Sequence, residues 1–131
     1  MPGTPKRIFI VDDSPIVRRL VRTWVEARLE HIDCAEAVDG LDALQLAEEV
    51  GPDVIVLDLI MPKLNGFEAA SSLHRLLPKI PIILYTLHKE IIPERQALAF
   101  GICAVVSKRD RIEVLLDQIL RYVGVAKAAS A

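Results

Sequence analysis

Val54-Ile55-Val56-Leu57-Asp58 decides the fold: four consecutive apolar residues, then one carboxylate. A strand that is apolar at every position has no solvent face, so it belongs in a sheet covered on both sides. Working outward, the same grammar recurs. Ile8-Phe9-Ile10-Val11 runs into Asp12-Asp13, Ile80 to Tyr85 (with Pro81 near its start) into Thr86, and Ala104-Val105-Val106 into Ser107-Lys108. A weaker run, Ile32 to Ala37, suits a strand nearer an edge.

Amphipathic stretches separate these runs. Ser14-Pro15 is a helix opening, a capping side chain followed by proline at the first helical position. Val17, Leu20, Val21, Trp24 and Val25 follow as its apolar stripe, which places Trp24 in the core, while Arg18, Arg19 and Arg22 fall on the other, solvated face. Leu41 to Val50 is a second helix, stopped by Gly51-Pro52, and a third follows the Asn65-Gly66 turn to about Leu77. A fourth helical stretch runs to about Phe100, with Pro93 in its first turns and Gly101 just past its end. Ile112, Leu115, Leu116, Ile119 and Val123 form the stripe of the last helix, which Gly124 stops. Five strands alternating with five helices predict an α/β, doubly wound parallel sheet with right-handed crossovers and helices on both faces.

The chain has 131 residues, 52% of them apolar, enough for one domain, expected over 6–124 with flexible flanks at 1–5 and 125–131. A net charge of −2 supplies no basic field toward nucleic acid or an anionic membrane. The sequence has no apolar run long enough to span a bilayer, and Met1 to Pro5 lacks the apolar stretch of a secretory signal. Cys34 and Cys103 have neither metal nor redox spacing and are expected as reduced core thiols, which fits a cytoplasmic protein.

In open parallel sheets, ligands bind beyond the carboxyl ends of the strands. The polar residues there are Asp12 and Asp13, Asp58, Thr86, and Ser107-Lys108. Clustered carboxylates repel one another, and a bound divalent cation removes that cost. Magnesium, or manganese in its place, suits a couple of carboxylates, retained waters and phosphate oxygens. Lys108 adds a compact cation and Thr86 a hydroxyl donor. A carboxylate nucleophile, a metal, an ammonium and a hydroxyl together describe phosphoryl transfer to an aspartate, driven by positioning and charge neutralisation. His31, His74 and His88 show no ligand spacing.

Val11-Asp12-Asp13-Ser14, Asp58-Leu59-Ile60-Met61-Pro62-Lys63-Leu64-Asn65-Gly66, Thr86 and Lys108 together resemble the receiver-domain signature of two-component response regulators, over residues 7–123. The resemblance implies a flavodoxin-like sheet of order 2-1-3-4-5. It implies Asp58 as the phosphoacceptor, served by a sensor histidine kinase or a phosphotransfer protein in the cytoplasm. Asp13, Asp58 and the backbone carbonyl of Ile60 would hold the metal directly and Asp12 through water, while Lys108 and Thr86 would engage the phosphoryl group. The arginine face of the first helix then has a sharper reading, as a docking surface for an acidic patch on the kinase.

Some positions depart from the family pattern. Val105 stands where an aromatic usually moves with the threonine, and Arg109 follows the lysine in place of proline. Leu87-His88 after the threonine resembles receivers that precede helix-turn-helix output domains, although Leu87 is bulkier than the usual residue. Two outputs stay open: a receiver acting alone through a protein partner, with a homodimer among the options, or the front half of a DNA-binding regulator. The short tail from Val125 to Ala131 holds no DNA-binding element, so this chain alone is not expected to bind DNA. An aspartate-nucleophile phosphatase would need a second aspartate at the position of Ile60, and a phosphate-independent receiver would have little reason to retain the clustered acids.

Overall fold

A computed structural model describes residues 3–124, so the flank expected at 125–131 and the first two residues lie outside the described residues. The elements run β1 Lys6–Val11, α1 Pro15–Arg28, β2 Ile32–Ala37, α2 Gly40–Val50, β3 Val54–Leu57, α3 Gly66–Leu76, β4 Ile82–Thr86, α4 Glu94–Ala99, β5 Ile102–Ser107 and α5 Ile112–Val123. All five strands are parallel, in the order β2-β1-β3-β4-β5. The fold is thus the doubly wound α/β sheet that the alternating runs predict.

Alternation along each strand builds two cores. Phe9, Val11, Ile55, Leu57, Ile82 and Leu84 face α2 and α3, meeting Ala43, Ala47, Ala69, Ala70 and Leu73. Their neighbours Ile8, Ile10, Val54, Val56, Ile83 and Tyr85 face α1 and α5, meeting Val21, Val25, Leu115, Leu116 and Ile119. Both faces are covered, which is why the central strands carry no polar alternation. No described helix is long and apolar enough to cross a membrane.

Local expectations hold in the first helix: Ser14 Oγ accepts from Val17 N at 3.2 Å, and Pro15 occupies the first turn. Its faces differ from the expected pattern. Leu20 is exposed, and Trp24 is only half-buried, packing against the edge of the core with the Arg28 guanidinium 4.5 Å over its ring. Arg18 and Arg22 are not a free solvated face, because both bind Glu36 on β2. The edge strand offers a carboxylate at the height of α1, and two guanidiniums one turn apart converge on it.

The fourth helical stretch is also different. A single 3-10 turn, Lys89–Ile91, comes first; Pro93 is the N-cap of α4, and α4 has only six residues. Proline lacks the N–H that a helix interior needs and restrains the residue before it, so the helix starts after it. For the same reason β4 begins beyond Pro81. β5 is longer than the apolar run suggested, and Cys103 on it is half-buried, its Sγ 3.3 Å from the Ile82 carbonyl.

Candidate functional site

Register brings the acids together. Val11 pairs with Leu57, the last residues of β1 and β3, so Asp12 and Asp58 leave the sheet side by side. Asp58 N donates to the Val11 carbonyl at 3.0 Å. On the other side, Thr86 pairs with Ser107, and Lys108 N donates to the Thr86 carbonyl at 2.8 Å. From there the Lys108 side chain crosses toward β1, its ammonium 5.9 Å from the centre of the Tyr85 ring.

Lys108 Nζ ends 2.8 Å from Asp12 Oδ2 and 3.3 Å from Asp58 Oδ2. Asp12 and Asp58 are 3% and 7% exposed, while Asp13 is exposed. One oxygen from each of the three carboxylates lies within 4.8 Å of the others. They border a cavity of about 460 Å³ that Ser14, Val17, Ile60, Leu87, His88 and Lys108 also line.

Burial pushes the Asp58 carboxyl above its ordinary value; Lys108 opposes that shift and the Asp12 charge adds to it. For Lys108, burial works against the ammonium, yet the hydrogen bond and charge of Asp12, with Asp58 behind them, hold its pKa above the ordinary value. One fixed cation therefore serves two buried carboxylates, while the exposed third, Asp13, lies beside them without that ion pair. The donor set is all oxygen and carries excess negative charge, which fits a hard divalent cation that retains water.

Two loops set this geometry. Asp12 Oδ1 accepts from Ser14 N at 2.9 Å, closing the turn from β1 into α1. After β3, buried Leu59 and Met61 pin the loop while Ile60 stays 54% exposed at the cavity. Gly66 lets that loop close: its N donates to the Leu59 carbonyl at 2.6 Å, and a Cβ there would meet the Asp58 carbonyl oxygen at 2.5 Å. Asn65 caps α3 by accepting from Glu68 N at 3.0 Å.

The structure thus brings together Asp12, Asp13, Asp58, Ile60 and Lys108. Thr86 is fully buried beside them and outside the cavity lining; its Oγ1 accepts from His88 N at 3.1 Å. Val105 is half-buried and borders a separate groove with Lys89, Ala97 and Leu98. Ser14 and Val17 line the site unforeseen, as does the link from Arg18 Nη1 to the Asp12 carbonyl at 2.7 Å. For Ser14 and Val17 a signal existed: the turn after an acid pair must pass the same sheet edge.

Known proteins are similar to this chain in sequence and fold. A family model described as the response regulator receiver domain matches residues 8–120. The transcriptional activator protein ExaE of Pseudomonas putida is 31% identical over 114 residues, which is 87% of this chain and 53% of that protein. The solved response regulator domain of Thermotoga maritima CheB superposes with a TM-score of 0.81 at 27% identity, covering 93% of this chain and 98% of that one. The response regulator protein TrrA of Thermotoga maritima, solved in complex with Mg2+ and BeF, gives 0.80 at 25% identity, covering 89% and 98%. The chain spans about half or less of the length of the curated relatives it matches.

Proposed function

The chain belongs to the response regulator receiver family, and we propose that Asp58 is its phosphoacceptor, that a divalent cation joins it there, and that a cytoplasmic histidine kinase or phosphotransfer protein is the donor. The observation that carries this reading is the pairing of a buried, charge-starved Asp58 with Lys108 at the edge of a cavity that two more carboxylates share.

In the proposed step an Asp58 carboxylate oxygen attacks the phosphorus of a phosphohistidine. The P–N bond breaks, and the imidazole leaves with its electron pair and takes up a proton. Magnesium, held by Asp13, Asp58 and the Ile60 carbonyl and through water by Asp12, would supply positive charge to the phosphoryl oxygens. Lys108 first balances Asp58 and Asp12, then pairs with the phosphoryl group. Thr86 Oγ1 accepts from His88 N and keeps its own proton, and Thr86 would swing in toward the cavity to donate it to a phosphoryl oxygen. No general base is needed, because the nucleophile is already an anion. The new group brings a charge of about −1.5 to −2, enough to bias the loops that carry Thr86 and Lys108.

On this reading the unit over 6–124 transfers a phosphoryl group only onto itself, and its output is a changed protein surface, presented alone, as a homodimer or ahead of a further domain. Intact mass after incubation with acetyl phosphate tests it. Gain of one phosphoryl group that requires magnesium and is absent in Asp58→Asn is the expected result. Steady release of phosphate with no accumulated phosphoprotein would favour an aspartate-nucleophile phosphatase instead, and no gain by a folded chain would leave a phosphate-independent receiver.

A further inference from the structure

The acid pair after β1 is anchored from α1. Arg18, the fourth residue of that helix, donates Nη1 to the Asp12 backbone carbonyl at 2.7 Å and Nε to Glu36 Oε1 at 2.9 Å. Its side chain is only 14% exposed. Glu36 accepts from Arg22 Nε on its other oxygen at 2.8 Å, and Arg22 Nη2 donates to the Cys34 carbonyl at 3.2 Å. One carboxylate on the edge strand thus locks two guanidiniums of the first helix.

Asp12 is held at every polar atom. Its N donates to the Ala37 carbonyl at 3.2 Å, its two carboxylate oxygens meet Ser14 N and Lys108 Nζ, and its carbonyl meets Arg18. Asp13 is the opposite case: it is exposed, and its carboxylate makes no hydrogen bond or ion pair among the described residues. With no side-chain partner to place it, the backbone alone sets where its Cβ stands. The carbonyl that Arg18 grips belongs to the peptide joining Asp12 to Asp13. Holding that carbonyl restrains ψ of Asp12 and φ of Asp13, and a change in φ of Asp13 that the rest of the turn does not compensate would shift its Cβ relative to Asp12 and Asp58.

We propose that Arg18, itself oriented by Glu36, is a positioning residue that fixes the Asp12–Asp13 peptide and so aims the Asp13 carboxylate at the cation. This rests on the reading of Asp12, Asp13 and Asp58 as a divalent-cation site. A guanidinium suits the task because its planar fork spans two acceptors at once, whereas an ammonium on a flexible stem holds neither direction. Groups that orient ligands without touching the ion commonly change metal affinity roughly 10- to 100-fold.

The test is calorimetric titration of the whole chain with magnesium alone, on wild type, Arg18→Met, Glu36→Gln and Arg22→Met, with thermal unfolding of each in chelator. Arg18→Met is expected to weaken magnesium binding roughly 10-fold or more. Glu36→Gln should shift it the same way by less. Arg22→Met, which loses Glu36 but does not touch Asp12, should lower the melting point and leave magnesium affinity near that of wild type. If Arg18→Met does not fold, Glu36→Gln against Arg22→Met makes the same comparison. Unchanged affinity in Arg18→Met, or an equal loss in Arg18→Met and Arg22→Met in step with stability, would overturn the positioning role. Absence of magnesium binding by wild type would overturn the cation site itself.

Discussion

Lys108 is bonded to Asp12 more tightly than to the proposed acceptor: its ammonium lies 2.8 Å from Asp12 Oδ2, and both side chains are almost fully enclosed. The reach to Asp58 is 3.3 Å. The lysine is therefore parked between two acids, able to follow new negative charge without leaving the cavity.

Replacing Lys108 with methionine removes that cation and leaves two buried carboxylates facing each other. Stability in chelator at pH 7 should fall by roughly 1–3 kcal/mol, the cost of leaving buried polar groups without their partner. Urea unfolding measures it. Added magnesium should recover part of the loss, while the yield of phosphoprotein stays low because no ammonium meets the phosphoryl group. Equal stability of the variant and wild type would show that Lys108 is not what balances the acids.

Asp58 sets a pH dependence. Burial raises its pKa, so the folded state holds that proton more tightly than the unfolded chain does. Its contribution to stability is full below the ordinary carboxylate pKa of about 4 and is lost as pH rises through the raised value. At neutral pH without metal, ionised Asp58 is thus a burden, and Asp58→Asn should melt a few degrees higher than wild type in chelator. The gap should close as pH falls toward about 4. With magnesium at about 100 times its Kd, wild type should gain about 2.7 kcal/mol and the variant much less. Melting curves across pH, with and without magnesium, contain all of these comparisons.

Gly66 supports the site through space. An added Cβ would lie 2.5 Å from both the Asp58 carbonyl oxygen and the Leu59 Cα, backbone atoms that cannot rotate aside. Gly66→Ala should cost about 1–3 kcal/mol, as overpacking does, and should lower phosphoprotein yield by displacing Asp58. Gly51→Ala is the contrast: it has φ +57° and nothing within 4 Å, so backbone strain of about 1–2 kcal/mol should leave the yield unchanged. Equal phosphorylation of the two variants would remove Gly66 from the site's support.

The thiols should be quiet near neutrality. Burial pushes Cys34 up to about 11, and burial raises Cys103 as well. A disulfide reagent at pH 8 should modify the native chain far more slowly than the unfolded one. Because the raised pKa belongs to the folded state, stability from neutral Cys34 is complete below the ordinary thiol value and declines as pH climbs toward 11. Denaturant midpoints should show a fall over that alkaline range that is shallower in Cys34→Ala. Rapid modification of native Cys34 at pH 8 would mean that β2 opens at the sheet edge.

Much of this was legible in one dimension. Apolar runs such as Val54 to Leu57, each ending on a polar residue, located the strands because burial on both faces is written into every position of a central strand. Asp12, Asp58 and Lys108 stood out for the same reason, each being the first charged residue past such a run. The fourth helix was misread in extent because an apolar period continues through Pro93 even though proline's missing N–H does not let the helix do so. Leu20 was misplaced because helical spacing names a face but not how far the neighbouring strand extends to cover it.

What the sequence determined by itself was therefore the inventory: which segments are strands, which residues end them, and which chemistry those residues share. Tertiary structure decided the pairings. Val11 beside Leu57 makes neighbours of two acids 46 positions apart, counted from Asp12 to Asp58. Arg18 on Glu36 and on the Asp12 carbonyl, and Lys108 on Asp12 before Asp58, are likewise relations between elements. Local patterns record burial and backbone preference, which each residue carries alone, whereas a hydrogen bond across elements depends on strand order and register. Those are set only when the whole sheet closes its two cores.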